Sequence, residues 1–253
     1  MNRTPFSISV VLPCHEEAEI LERLVGVLLP ALQGCSGQHE ILVVADGAAT
    51  DGTPEMAAKL EVAIPCLRRI LQPADDPGYG RAISLGVAAA RFPWVLILDA
   101  DGQLDPEELP RLTERAPAAS VVIGVRTNRA DAWPRRAAGA FYTAVVRVLL
   151  GLGPVKDLDC GFKLVEKRRL GLAPLKCRTG AVNAEILARA MADGALVAQV
   201  PVSHGRRWRG RSRFEVGGGV LPQAPHPIEA LAIARDVGLL FVRRFVGPVG
   251  QEV

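Results

Sequence analysis

The stretch WVLILDADGQLDPEEL, Trp94 to Leu109, passes from a near-continuous apolar segment straight into two carboxylates separated by one alanine. A short apolar run bounded by turn residues reads as a strand buried on both faces, and such strands belong to parallel sheets. Asp99 and Asp101 leave that strand close enough together to repel each other, and a cation between them would relieve the repulsion. The plainer alternative is a solvated Asp-Gly turn, with Asp105 capping a helix whose first residue is Pro106.

Upstream, ISVVL (Ile8 to Leu12) is a β-branched run closed by Pro13, and EEAEILERLVGVLLPAL then carries apolar residues at helical spacing. HEILVVADG is a second buried-type strand. It leads to a helix near TPEMAAKL, where Thr53 is the expected N-cap and Pro54 fits the first turn. LRRIL reads as a third strand, GYGRAISLGVAAARF as a helix opened by glycine, and WVLILDAD as the fourth strand. This alternation predicts the α/β class, a single Rossmann-like and mostly parallel sheet flanked by helices. Ligands of such sheets gather at the carboxyl ends of the strands. Glu16, Glu17, Asp46, Asp99 and Asp101 all follow strands, so three separate loops bring carboxylates to that edge.

Beyond Pro110, ASVVIGVR reads as a strand and AGAFYTAVVRVLLGLG as a helix; ALVAQVPVSHGRRWRGRSRF reads as a strand that becomes a basic loop. The expected organisation is one domain over residues 1–215. Residues 216–253 then form a linker and an amphipathic helix, PIEALAIARDVGLLFVRRF, packed on the domain or extending it.

A hydrophobic content of 49% over 253 residues supports a sizeable core. The net charge of +3 suits anionic small molecules or an anionic lipid surface and argues against nucleic acid as a partner. Five scattered cysteines without C-x-x-C spacing point to a reduced setting, with neither a zinc site nor a disulfide framework. No run reaches the roughly 18 apolar residues of a membrane span, and the N-terminus lacks the pattern of a signal peptide. The expectation is a cytoplasmic protein, soluble or peripheral on the inner face of the cell membrane.

Asp99, Asp101 and Gln103 supply hard oxygen ligands suited to Mg²⁺ or Mn²⁺, ions that keep positions open for substrate phosphates. An EF-hand is excluded, because Gly102 falls at the fourth position of the run rather than the sixth. In DDPGYGRAISLG, backbone amides from Gly78 to Arg81 are candidates to face a phosphate at a helix start. The spacing is neither a Rossmann fingerprint nor a Walker A loop. HGRRWRGRSRF sets Arg206, Arg207, Arg209, Arg211 and Arg213 around Trp208, and arginine forks on a flexible loop match diphosphate oxygens. A solvated basic loop is the bland alternative. His15 and His204 lie near the same edge and read as structural.

These motifs, in this order, resemble the family-2 glycosyltransferases of GT-A fold, and among them the dolichol- or polyprenol-phosphate sugar synthases. VVLPCHEEAEIL looks like the family's P-x-x-N-E opening, VVADGAATDGT like V-D-D-G-S-x-D-G-T, and GYGRAISLG like G-x-G-x-A. LDADGQLDPEELPRL looks like the metal motif and VIGVR like the G-S-R strand. DLDCGFKL looks like D-P-x-S-G-F and VPVSHGRRWRGRSRF like R-x-x-G-x-S-K, so the likeness covers residues 8–214. Glu16 stands where the family has Asn, and Ala45 where it has the first Asp of D-D-G-S.

The resemblance implies a nucleotide pocket lined by Pro13, Glu17, Asp46 and Gly80, with Asp99, Asp101 and Gln103 holding metal and diphosphate. It implies a closing loop bearing Arg207 and Ser212, an acceptor phosphate met by Arg126 and Arg136, and Asp157 beside the reacting sugar. The implied reaction is transfer, with inversion, from a UDP- or GDP-sugar to a polyprenyl phosphate, with peripheral membrane contact. Asp101 and Arg207 would stabilise the leaving group. A hydroxyl acceptor on a soluble small molecule is the alternative, with Asp157 or Asp159 as base. A nucleotidyltransferase ranks lower because PCHEE is acidic where a triphosphate would sit, and the intact Asp99, Asp101, Gln103 and Arg207 speak against an inactive binding module.

Overall fold

The computed structural model describes residues 6–127, 133–206 and 227–245. Seven strands form one sheet in the order β3-β2-β1-β4-β6-β5-β7. The strands are β1 Ser7–Cys14, β2 Gln38–Asp46, β3 Leu67–Gln72, β4 Trp94–Leu98, β5 Val121–Thr127, β6 Phe162–Glu166 and β7 Val197–Ser203. The helices are α1 Ala18–Cys35, α2 Thr53–Ala63, α3 Tyr79–Ala89, α4 Leu109–Thr113, α5 Trp133–Leu150, α6 Val182–Ala192 and α7 Pro227–Phe245.

The apolar run at Trp94 is the strand its composition predicts, hydrogen-bonded in parallel to β1 through pairs such as Val10 with Leu96. Alternate residues feed opposite faces. Val10, Leu12 and Leu96 enter one core with Leu21, Leu24 and Leu28 of α1 and Leu60 of α2. Val11, Val95 and Ile97 enter the other with Ile83 of α3, Val146 of α5, Ile186 of α6 and Val237 of α7. Helices on both faces explain why β4 and most of β1 are apolar on both faces.

Two elements were not legible in the sequence. DLDCGFKL, read as a turn, continues into β6, which runs antiparallel to β4 through Leu96 with Leu164 and also pairs antiparallel with β5. Inserting a reversed strand leaves β4 and β5 parallel, so the carboxyl ends of β1 to β5 and β7 share one edge. The helix α6 was likewise not expected.

On the opposite edge a buried ion-pair cluster ties the sheet together. Glu40 of β2 accepts from Ser9 Oγ (2.7 Å), from the Arg91 backbone (2.7 Å) and from Arg91 Nε (2.9 Å). Burial works to raise its pKa, and the Ser9 and Arg91 hydrogen bonds outweigh it and hold the group below the usual carboxylate range.

Candidate active site

The turn after β1 is short and strained. Glu16 has φ +58°, the one non-glycine residue with positive φ among the described residues. That conformation costs an L-residue on the order of 1–2 kcal/mol, and Asn tolerates it best after Gly. Glu17 then accepts from the His15 backbone N–H and donates its own N–H to Thr53 Oγ1 (2.9 Å). Asp51 accepts from Ala18 N–H (3.0 Å) and from Thr53 Oγ1 (2.7 Å). The β2–α2 loop thus caps α1 from outside, supplying partners for amides that the helix itself leaves orphaned. Thr53 corrects its sequence reading: Gly52, at φ +89°, occupies the N-cap position of α2, and the Thr53 hydroxyl is spent on Glu17 and Asp51.

At the end of β2, Asp46 accepts from Ala48 N–H (2.9 Å) and sits 2.9 Å from His15 Nδ1. His15 therefore orients one of the carboxylates expected in the nucleotide pocket. Pro13 is buried in β1 against Val44, and Ala45 is buried in the core where the family pattern has an acid.

The β4 edge carries the central pair. The Asp99 N–H donates to Gly161 O (3.0 Å), and Asp99 Oδ1 accepts from Tyr79 Oη (2.7 Å). A Cβ on Gly161 would lie 1.8 Å from Asp99 Oδ2, so the Gly-Phe turn has glycine because the carboxylate occupies the space. Asp101 accepts from Gln103 N–H (3.0 Å) across Gly102, whose φ is +72°. The Gln103 side-chain amide donates to Gly205 O (3.2 Å) and the Gln103 backbone carbonyl accepts from Gly205 N–H (2.8 Å), which ties the β4 exit to the base of the arginine loop. Asp105 does cap the following 3-10 turn, accepting from Glu107 N–H (2.9 Å). The turn reading holds for Asp105, and Asp101 also accepts from the amide two residues on.

Opposite this pair, Asp157 takes a bidentate fork from Arg126, Nε at 2.8 Å and a terminal nitrogen at 2.7 Å, plus the Arg126 N–H at 3.1 Å. Burial works to raise the Asp157 pKa, but the arginine outweighs it and holds the group below the usual range. Asp159, two residues on, is pushed up to about 6 by burial, with Lys163 and Arg126 opposing and Asp157 and Asp99 adding to the rise. Lys163 is fully buried on β6 and donates to Cys160 O and to Asn183 Oδ1 (2.9 Å). Asp99 is also raised, first by burial and then by Asp101.

Four carboxylates, Asp99, Asp101, Asp157 and Asp159, thus face two cations, Arg126 and Lys163. Burial raises the pKa of both Asp99 and Asp159, Asp101 adds to the rise at Asp99, and a divalent cation with oxygen ligands would favour the charged forms. Among the described residues no three His, Cys, Asp or Glu side chains gather around one point, so an ion on Asp99 and Asp101 would draw its other ligands from diphosphate and water. The donor set fits Mg²⁺ or Mn²⁺ on those terms.

Three expectations need restating. The Gly80 N–H donates to Arg178 O (2.9 Å), and a Cβ there would lie 2.3 Å from Cys177 O, so Gly80 serves close packing and its amide is not available to phosphate. Arg126 is bound within the chain to Asp157, so meeting a phosphate would require sharing that fork. Arg136 lies exposed in the first turn of α5, while Arg207, Arg209, Arg211, Arg213, Trp208 and Ser212 lie outside the described residues. Sequence reading missed Tyr79, Lys163 and Asn183. The available signal was a lysine in the middle of an apolar run, FKLV.

The profile of Glycosyl transferase family 2 matches residues 9–170, from β1 to just past β6. The chain belongs to this family. A curated relative, the undecaprenyl-phosphate 4-deoxy-4-formamido-L-arabinose transferase of Sodalis glossinidius (strain morsitans), is 31% identical over 212 residues. The match takes in 83% of this chain and 63% of that protein, so the chain spans less than two thirds of the relative's length. Among solved structures, glucosyl-3-phosphoglycerate synthase from Mycobacterium tuberculosis in complex with Mn²⁺, UDP and phosphoglyceric acid superposes with TM-score 0.69 at 20% identity, over 97% of this chain and 80% of that one. The same enzyme with Mn²⁺, UDP-glucose and glycerol 3-phosphate gives TM-score 0.64 at 20% identity, over 97% and 82%. These likenesses establish the GT-A fold of the family member described here.

Proposed function

We propose that this chain transfers a sugar, with inversion, from a nucleotide diphosphate sugar to the phosphate of a polyprenyl phosphate, using a divalent metal. The observation that carries the reading is the pair of carboxylates, Asp99 and Asp101, at the carboxyl end of β4 within the segment that matches family 2. The acceptor oxygen bonds to the anomeric carbon as the bond to the diphosphate oxygen breaks, and the electron pair leaves with the diphosphate. A divalent ion on Asp99 and Asp101 would act as Lewis acid toward that leaving group. Pro13, Asp46 with His15, and Glu17 shape the nucleotide end, and Gln103 anchors the base of the arginine loop through Gly205. Arg207 on that loop is assigned to the diphosphate, and Ser212 to the acceptor. Arg126 and Arg136 are assigned to the acceptor, whose phosphate is already anionic and needs no base.

The acceptor class rests on the undecaprenyl-phosphate relative. A soluble hydroxyl acceptor is the second reading, and Asp159 favours it. Asp157 commits both oxygens to Arg126, so Asp159 is the carboxylate suited to take a hydroxyl proton.

A lipid acceptor calls for peripheral membrane contact, and the surface of α5 and α7 suits it. Of the twelve exposed large apolar residues among those described, eight lie on these two packed helices, including Trp133, Phe141 and Val148 of α5 and Leu231 and Leu239 of α7. The α5 sequence carries Arg135, Arg136 and Arg147 and no acid, a match for an anionic bilayer. No helix among the described residues is long and apolar enough to cross a membrane.

Isothermal titration of the full chain with UDP and GDP, with and without Mn²⁺, tests the donor site. Tight binding of one nucleotide only with Mn²⁺, abolished in Asp101→Ala, is the expected result; metal-independent binding or an unaffected variant overturns the reading. Flotation with phosphatidylglycerol vesicles tests the surface. Capture lost in Phe141→Ser/Val148→Ser supports membrane contact, and no capture, or dimerisation through this face, overturns it.

A further inference from the structure

Tyr79 has a place in neither the nucleotide pocket nor the metal motif, yet three parts of the fold converge on it. It stands between Gly78 and Gly80 at the start of α3. A Cβ on Gly78 would lie 2.6 Å from Arg178 O, and one on Gly80 would lie 2.3 Å from Cys177 O and 2.8 Å from Thr179 O. The backbone of residues 177–179 is therefore pressed directly onto this turn, with Gly80 N–H donating to Arg178 O (2.9 Å).

On its far side the same loop is gripped by α7. Asp236, 3% exposed, accepts from the N–H groups of Arg178 (3.0 Å) and Thr179 (3.2 Å) and from Thr179 Oγ1 (2.9 Å). A buried carboxylate with one oxygen on these three donors and the other on Arg235 (3.1 Å) is a strong, directional anchor. Glu185 of α6 holds the preceding amides of Lys176 and Cys177 in the same way.

The third part is the carboxylate itself: the Tyr79 hydroxyl donates to Asp99 Oδ1 (2.7 Å). The terminal torsion of an aspartate is soft, so a fixed donor is what aims its oxygens. We propose that Tyr79 is a positioning residue for the Asp99 carboxylate and that the C-terminal helix α7 sets its place through Asp236 and the 177–179 loop. The inference rests on reading Asp99 as a carboxylate of the metal and donor site. It assigns the helix beyond the family-matched segment a role in that site.

The test uses the full chain. Removing an outer partner of a metal ligand typically costs about 10–100-fold in metal affinity. Tyr79→Phe is expected to weaken Mn²⁺-dependent UDP binding by about that factor while uridine binding stays unchanged. Asp236→Asn is expected to act in the same direction, and the double variant to bind no worse than the weaker single one, since both act through one contact. An unaffected Tyr79→Phe, an equal loss for uridine, or losses that multiply in the double variant would overturn the proposal. Should Asp236→Asn not fold, Thr179→Val removes one of the three donors and carries the same expectation.

A second readout needs no donor. Only two tyrosines occur, so in a Tyr142→Phe background the near-UV tyrosine dichroism reports Tyr79 alone. A signal altered by Asp236→Asn supports the coupling and an unaltered one overturns it. Wild-type chain that binds no nucleotide with Mn²⁺ would instead remove the functional reading, and the dichroism would still decide the coupling.

Discussion

Replacing Arg126 by Met should be among the more damaging single changes in this chain, and replacing Asp157 along with it should repair most of the damage. The two side chains are 14% and 9% exposed and share a bidentate fork at 2.7 and 2.8 Å. Arg126→Met leaves a mostly buried carboxylate with one remaining donor, the residue-126 N–H at 3.1 Å. Breaking a buried pair from one side costs about 3–5 kcal/mol, and the residual exposure argues for the lower end, about 3 kcal/mol. For a chain of this size that corresponds to a fall in melting temperature of roughly 6–12 °C. Arg126→Met/Asp157→Leu removes the stranded charge and should recover most of the loss. The pH dependence follows from the depressed Asp157 pKa. The pair's contribution is fully present above the ordinary aspartate value of about 3.9 and is lost as pH falls through the lower folded value, so the variant should show a flatter acid limb. Thermal unfolding from pH 7 down to pH 3 measures all three effects. A loss under about 1 kcal/mol in the single variant, or a double variant less stable than the single, would refute the reasoning.

Glu16→Asn relieves part of the cost of a left-handed backbone and should raise stability by about 0.5–1 kcal/mol, read as a melting temperature about 2 °C higher or more; an unchanged or lower value would count against strain at this turn. Gly161→Ala drives a methyl into the space of the Asp99 carboxylate, so it should abolish Mn²⁺-dependent nucleotide binding in a chain that still melts cooperatively; retained binding would show that the carboxylate has room to move. Glu40→Gln removes the charge opposite Arg91, which is 60% exposed and can turn to water, so the loss at pH 7 should be about 1 kcal/mol. Because the folded Glu40 pKa is depressed, the gap from wild type should shrink as pH falls through that value, and a gap independent of pH in thermal unfolding would contradict the assignment.

The alternation of strands and helices, the carboxylates at strand ends and the cap at Asp105 were legible because each rests on local chemistry. Period, turn residues and capping act over a few positions. What escaped was non-local. β6 is five residues long, and its antiparallel place between β4 and β5 depends on partners about 40 to 70 residues away, to which no local pattern points. Gly80 shows the same limit more sharply. A Gly-x-Gly before a helix suits a phosphate by local rules, but the amide is taken by Arg178, about a hundred residues later. Thr53 likewise fits the N-cap preference, and its hydroxyl is claimed by the turn after β1. In each case local preference named a residue that matters and tertiary partners decided what it does.

Lys163 makes the strongest case for why the edge is built as it is. A lysine with no exposed surface is costly, and only nearby opposite charge or good hydrogen bonds make it tolerable. Its ammonium supplies both to the site, through Asn183 and the Cys160 carbonyl and through the field it exerts on Asp99, Asp157 and Asp159. With Arg126 it sets positive charge against Asp99, Asp157 and Asp159. Replacing Lys163 by Met removes one of the positive charges that act on these acids, so such a variant should depend on Mn²⁺ for stability more than the wild type does. Thermal unfolding with and without Mn²⁺ reads this directly: the metal-induced rise should be larger in Lys163→Met, and an equal or smaller rise would mean that the lysine does not balance these acids.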